Sequence, residues 1–120
     1  MMKKILIADD DRNVRESLKD LLSAKGYKVI QAATAEEALE KTHETKPDLI
    51  LLDTRMPSDM EGDAVCARIK KIEGIDVKVI IYTGCMDALD VTKARIAGAD
   101  DYVVKTSDFA YLLKAVKKHM

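Results

Sequence analysis

The chain alternates between short, nearly unbroken apolar runs and longer stretches in which apolar residues recur every three or four positions. The first kind comprises Ile5-Leu6-Ile7-Ala8, Val29 to Ala32, Asp48 to Leu52, Val77 to Tyr82 and Tyr102-Val103-Val104. Such runs, lacking polar alternation, predict strands covered on both faces, as in a parallel sheet. Between them, Val14, Leu18, Leu21 and Leu22 mark the apolar face of a first helix, which Gly26 ends as a left-handed cap. Thr34 and Glu37 have capping-box spacing ahead of Ala38 and Leu39, and Lys46-Pro47 closes that second helix. Val65, Ile69 and Ile72 predict a third helix ending near Gly74. Val91, Ala94 and Ala97 predict a fourth, ending at Gly98. Phe109, Leu112, Leu113 and Val116 predict a fifth.

Strand followed by helix, five times over with short connections, predicts an α/β fold. The sheet should be parallel, with right-handed crossovers and helices on both faces. Two five-stranded orders compete, a small Rossmann-like half and the flavodoxin-like order 2-1-3-4-5. Without repeats or linkers, the 120 residues predict one domain spanning 1–120.

Composition narrows the function. Twenty basic residues against twenty-one acidic ones argue against bulk nucleic-acid binding, and the absence of Trp leaves few stacking platforms. No apolar run approaches membrane-spanning length, and the apolar stretch after Lys4 is too short for a signal peptide. Cys66 and Cys85 have no metal-binding or redox spacing. A reduced, cytoplasmic protein is the expectation.

The chemistry-bearing residues stand at the carboxyl ends of the strands. Asp9 and Asp10 follow the first, Asp53 the third, Thr83 the fourth and Lys105 the fifth. Ligands of open α/β sheets bind outside those ends, where strand order reverses. With order 2-1-3-4-5, Asp9 and Asp10 face Asp53 across that point. Three converging carboxylates call for a cation, and an oxygen-only donor set suits Mg²⁺. Each residue also has a bland reading. Asp10 or Asp11 can cap the first helix, Lys105 can be a solvated strand-end charge, and Thr83 a turn residue. Their joint occurrence on four strand ends favours a site. A carboxylate beside Mg²⁺ can act as nucleophile toward phosphorus, with an ammonium and a hydroxyl taking the other phosphoryl oxygens.

Five segments in this order and spacing resemble the receiver domain of bacterial response regulators, the phosphoacceptor module of two-component signalling. They are Ile5 to Asp11, Pro47 to Asp53, Met56-Pro57, Tyr82-Thr83-Gly84 and Gly98 to Lys105. The resemblance implies a flavodoxin-like doubly wound fold of sheet order 2-1-3-4-5. It implies phosphorylation of Asp53 by a histidine kinase or histidine phosphotransfer protein. The implied Mg²⁺ ligands are Asp9, Asp10 (the more direct of the pair), Asp53 and the backbone carbonyl of Arg55. Thr83 and Lys105 would contact the phosphoryl group. Tyr102 would be the switch aromatic, its plain alternative being a half-buried strand residue. The implied readout surface is the fourth helix, fifth strand and fifth helix, about Asp87 to Ala97 and Tyr102 to Lys118. It would serve an effector protein or a phosphorylation-dependent dimer, without direct contact to nucleic acid or membrane. The kinase would dock near the first helix and the loop after Lys105.

The sequence departs from the pattern at three places. Thr106 stands where the family usually has Pro after its lysine, and a cis non-Pro bond costs about 2.5–4 kcal/mol, so a trans bond is expected there. The loop from Pro57 to Gly62 is one residue longer than usual. Arg55 and Cys85 flank the site at variable positions. The alternatives are a receiver-like module that works by contact without phosphorylation, a flavin carrier and an aspartate-based phosphatase. The flavin carrier lacks a phosphate-cradling loop after the first strand, and the phosphatase lacks a substrate cap. His43, His119 and the C-terminal lysines read as exposed polar residues, and Cys66 as helix packing.

Overall fold

The computed structural model of the chain describes residues 2–54, 62–72, 74–84 and 88–120. Five parallel strands form its sheet: β1 (Lys4–Ala8), β2 (Lys28–Ala32), β3 (Leu49–Asp53), β4 (Lys78–Thr83) and β5 (Asp101–Val104). Their order is β2-β1-β3-β4-β5, so β3 returns to the opposite side of β1 from β2 and the Rossmann-like alternative is excluded. The intervening helices are α1 (Arg12–Ala24), α2 (Ala35–Thr45), α3 (Gly62–Ala67), α4 (Ala88–Ala97) and α5 (Ala110–His119).

Burial explains the apolar runs. β1 from Ile5 to Ala8 and all of β3 are buried, because helices cover the sheet on both sides. On one face Leu6, Ile50, Leu52, Val79 and Ile81 meet Ala35 and Ala38 of α2, Val65 of α3 and Ala94 of α4. On the other, Ile5, Ile7, Leu49, Leu51, Ile80 and Tyr82 meet Leu18 and Leu22 of α1 and Leu112 and Val116 of α5.

The helix ends follow from local chemistry. Asp11 is the N-cap of α1, its Oδ1 accepting from the amides of Asn13 (2.9 Å) and Val14 (3.4 Å). At the other end Gly26 adopts φ 92°, its N–H bonding the Ser23 carbonyl while Tyr27 N–H bonds that of Leu22. This pair of bonds is a Schellman closure, and Tyr27 packs into the cluster that holds Leu22. Gly98 ends α4 by the same pattern, with φ 93°. Thr34 caps α2 through Glu37 N–H at 3.1 Å, and Lys46 closes it in the left-handed region.

Three expectations are corrected. Leu21 is 38% exposed, not part of the α1 core face, since Leu18 and Leu22 already fill the contact with the sheet. The third helix is not uniform: α3 passes at Arg68 into a π-turn reaching Ile72. Nor is His119 a free polar residue, because its Nε2 lies 3.0 Å from Asp101 Oδ2 and ties the end of α5 to the start of β5. Cys66 is buried in α3, as helix packing requires. His43 is exposed.

The π-turn carries Lys70, whose ammonium donates to the Val77 carbonyl (2.7 Å) and to Asp100 Oδ2 (2.8 Å). Asp100 Oδ2 also accepts from Val79 N–H at 2.8 Å, and Lys78 adds a second cation at 3.8 Å. Partial burial alone would raise the Asp100 carboxyl pKa. The bonds from Lys70 and Val79 and the charges of Lys70 and Lys78 outweigh it, and the pKa lies below the usual carboxylate value. A lowered folded-state pKa gives stability that is present above the unfolded value of about 3.9 and is lost as pH falls through the folded value. Asp100→Ala is expected to destabilise the fold by about 1 kcal/mol near neutral pH, after solvent screening of the pair. Urea midpoints of the two proteins should converge below about pH 4.

Candidate functional site

The reversal of strand order brings the carboxyl ends of β1 and β3 side by side, with Ala8 in register with Leu52. Asp9 and Asp10 leave β1 as Asp53 ends β3. One carboxylate oxygen from each of the three lies within 4.8 Å of the others, with Asp9 and Asp53 buried and Asp10 exposed. Asp53 also sits in register with Tyr82 on β4, and Thr83, 2% exposed, in register with Val104 on β5. Lys105 follows directly, its N–H bonding the Thr83 carbonyl at 2.7 Å. Asp9, Asp10, Asp53, Thr83 and Lys105 thus share one edge of the sheet.

Hydrogen bonding separates the roles of the acids. Capping of α1 falls to Asp11, which frees Asp10 from that duty. Among the described residues, the Asp10 side chain has no hydrogen-bond or ion-pair partner. Asp9 is the opposite case. Its Oδ1 accepts from Asp11 N–H (2.8 Å), and its Oδ2 from the Tyr82 hydroxyl (2.6 Å) and the Lys105 ammonium (3.3 Å). Its own carbonyl accepts from Arg15 at 2.7 Å. A buried carboxylate with three donors is well compensated. Lys105 is therefore not a solvated strand-end charge; it pairs with Asp9 and lies 5.0 Å from the centre of the Tyr82 ring.

Tyr82 is the residue that sequence reasoning missed as part of the site. Its place at the end of the apolar run Val77 to Tyr82 predicts strand apolar surface, and its ring does pack among Ile7, Leu51 and Leu112. The available signal was a hydroxyl one residue before Thr83, at the strand end that meets the acids. Burial pushes the phenol pKa well above its ordinary value of about 10, and the neighbouring charge of Asp9 and its hydrogen bond push further. The hydroxyl therefore keeps its proton and donates.

Tyr102 is half-buried on β5 and packs on the α2–α4 side of the sheet, while Val103 packs on the α1/α5 side. Strand alternation aims Thr83 to the same side as Tyr102. The Lys105–Thr106 bond is trans, and the Thr106 hydroxyl donates to Asp108 Oδ1 at 2.9 Å, which also accepts from Ala110 N–H at the start of α5. Arg55, the Pro57–Gly62 loop as far as Glu61, Cys85 and Asp87 lie outside the described residues.

Comparison with known proteins bears on this constellation. The model of the response regulator receiver domain matches residues 5–117. The chain belongs to this family. As a receiver domain it takes part in two-component signal transduction. It is 42% identical over 103 residues to the probable transcriptional regulator ycf27 of Guillardia theta, covering 86% of this chain and 39% of that protein. The receiver domain thus spans about two-fifths of the length of that relative. Among solved structures, a CheY-like receiver domain protein from Methanospirillum hungatei superposes with TM-score 0.89 at 36% identity, covering 98% of this chain and 93% of its own. The response regulator TrrA of Thermotoga maritima, solved in complex with Mg²⁺ and a beryllium fluoride, gives TM-score 0.87 at 39% identity over 99% of this chain and 100% of that one. No described helix is long and apolar enough to cross a membrane.

Proposed function

We propose that residues 1–120 form one receiver domain in which Asp53 accepts a phosphoryl group from the phosphohistidine of a histidine kinase or histidine phosphotransfer protein. The observation that carries this reading is the convergence of the Asp9, Asp10 and Asp53 carboxylates at the strand-order reversal, with the Lys105 ammonium already paired to Asp9. In the transfer, a carboxylate oxygen of Asp53 attacks phosphorus and the phosphorus–nitrogen bond to the donor imidazole breaks, the electron pair staying on nitrogen. Asp53 is 5% exposed, so its oxygen has lost most of its competing water shell. The domain is a phosphoacceptor that assists this transfer and the later hydrolysis of its own phosphoryl group to inorganic phosphate, rather than a turnover enzyme.

The donor set fits Mg²⁺: oxygen ligands only, a carboxylate on Asp10 that is uncommitted among the described residues, and two more within reach on Asp53 and Asp9. Asp10 and Asp53 would hold it directly, and the resemblance adds the backbone carbonyl of Arg55, a residue outside the described ones. Asp9, already accepting from three donors, would be the outer member. When bound, the ion neutralises a phosphoryl oxygen and relieves the repulsion among the acids.

Thr83 and Lys105 are the phosphoryl contacts, supplying a hydroxyl and an ammonium from opposite faces of the sheet. Because Thr83 and Tyr102 are aimed to the α4 side, movement of the Thr83 hydroxyl toward the phosphoryl group opens space for the Tyr102 ring. This changes the surface of α4, β5 and α5, where an effector protein or a second copy docks. The phosphoryl group adds about −1.5 to −2 charges, and it shifts the equilibrium only by its different affinity for the two arrangements. A cytoplasmic setting accompanies this reading.

Incubation with Mg²⁺ and a small phosphodonor is expected to add one phosphoryl group to the intact mass of the wild type and none to Asp53→Asn. A folded wild-type protein that takes up no phosphate would instead favour a module that signals by contact alone.

A further inference from the structure

Tyr82 carries a hydroxyl that the phosphoacceptor chemistry does not use. Its ring is fully buried between β1, β3 and the α1/α5 layer, so packing leaves the hydroxyl little freedom to turn away. That hydroxyl donates to Asp9 Oδ2 at 2.6 Å, within the short range of bonds to an ionised acceptor. The same oxygen accepts from Lys105 at 3.3 Å, and the ammonium lies 5.0 Å from the Tyr82 ring centre. One carboxylate oxygen, one phenol and one ammonium therefore form a single unit.

We propose that Tyr82 is a positioning residue that sets how Lys105 divides between Asp9 and the phosphoryl group, and that restrains the affinity of the acid cluster for its cation. This rests on the reading of Asp53 as phosphoacceptor. To reach a phosphoryl oxygen, Lys105 must give up Asp9 Oδ2. With the Tyr82 hydroxyl in place, that oxygen keeps a donor after the ammonium leaves, and Oδ1 keeps Asp11 N–H. Without it, Lys105 is the only donor on Oδ2 among the described residues, and leaving would strand a buried charge. Lys105 is then held back. The same phenol draws electron density from Asp9 that would otherwise attract the cation, so its removal favours Mg²⁺.

The two effects have opposite signs, which separates them from simple damage. In Tyr82→Phe, calorimetric titration with Mg²⁺ alone is expected to give a dissociation constant about 3–10-fold lower than wild type, the scale of one ordinary net hydrogen bond. Titration with beryllofluoride at saturating Mg²⁺, followed by the Thr83 amide resonance, is expected to give one about 3–10-fold higher. On an Asp9→Asn background the same substitution should no longer change beryllofluoride binding. The proposal is overturned if both affinities fall together, if neither moves by more than about twofold, or if the effect persists without the Asp9 carboxylate. A wild-type protein that binds neither probe would instead remove the phosphoacceptor reading itself, whatever Tyr82 does.

Discussion

Lys105→Met is expected to slow phosphoryl uptake at Asp53 by about 10²-fold at saturating Mg²⁺, the scale of losing one preorganised donor to developing charge. In the metal-free protein the ammonium rests on Asp9 Oδ2, 3.3 Å away, half-buried and close to the Tyr82 ring. From there a short movement along the sheet edge takes it toward Asp53, because β5 stands next to β4 and β4 next to β3. Methionine keeps much of the length and packing of the side chain but supplies no charge and no donor. Phosphoryl transfer gives the protein little covalent work beyond the nucleophile, so a lost charge contact appears almost wholly in the rate. Removing the cation also leaves three acids with less compensation, and Mg²⁺ affinity should rise several-fold as uptake slows. Quantifying phosphorylated protein by mass against time checks the first effect, and calorimetry the second. A rate within about threefold of wild type would reduce Lys105 to a counterion of Asp9.

Much of this was legible in the sequence, for identifiable reasons. A strand buried on both faces has little room for polar residues, so Ile5 to Ala8 and Asp48 to Leu52 announced themselves, and the observed strands Lys4–Ala8 and Leu49–Asp53 lie within one residue of them at each end. Gly26 and Gly98 were readable because closing the helix requires positive φ there. The order of the strands placed the three acids together once β3 was set beside β1, and chemistry at strand ends then followed from topology. The misses share a cause: each depends on what a side chain meets far away in the chain. Leu21 has the spacing of a core residue, yet the sheet contact is already filled by its neighbours Leu18 and Leu22. The π-turn of Arg68–Ile72 leaves no mark in apolar spacing, and its consequence, Lys70 reaching Asp100, spans thirty positions. His119 finds Asp101 only because α5 packs back along β5. Tyr82 looked apolar because its ring is, and its hydroxyl gained meaning from Asp9, 73 residues earlier.

The acid cluster sets stability against function, and Asp10→Asn is the substitution that exposes the conflict. Three carboxylates whose oxygens lie within 4.8 Å of one another repel by about 1–3 kcal/mol per pair, depending on how much water screens them. Asp9 is relieved by Lys105, Tyr82 and Asp11, whereas Asp10 has no partner among the described residues. It is also exposed, which puts its share toward the lower figure. Asparagine has nearly the same shape and removes the charge, so the metal-free fold should gain about 1–2 kcal/mol. That gain corresponds to a rise in melting temperature of about 3–8 °C for a domain of this size. The same change replaces an ionic ligand by a neutral amide oxygen, and Mg²⁺ affinity is expected to fall on the order of 10²-fold, with phosphoryl uptake falling alongside it. Thermal melts with and without Mg²⁺ read both effects in one experiment. Wild type should be the less stable protein in chelator and should recover with added Mg²⁺, since an ion that binds only the folded state stabilises it by mass action. Asp10→Asn should melt higher in chelator and respond little to the ion. If the variant instead melted lower in chelator, Asp10 would be holding the fold together, and the repulsion assigned to the cluster would have the wrong sign.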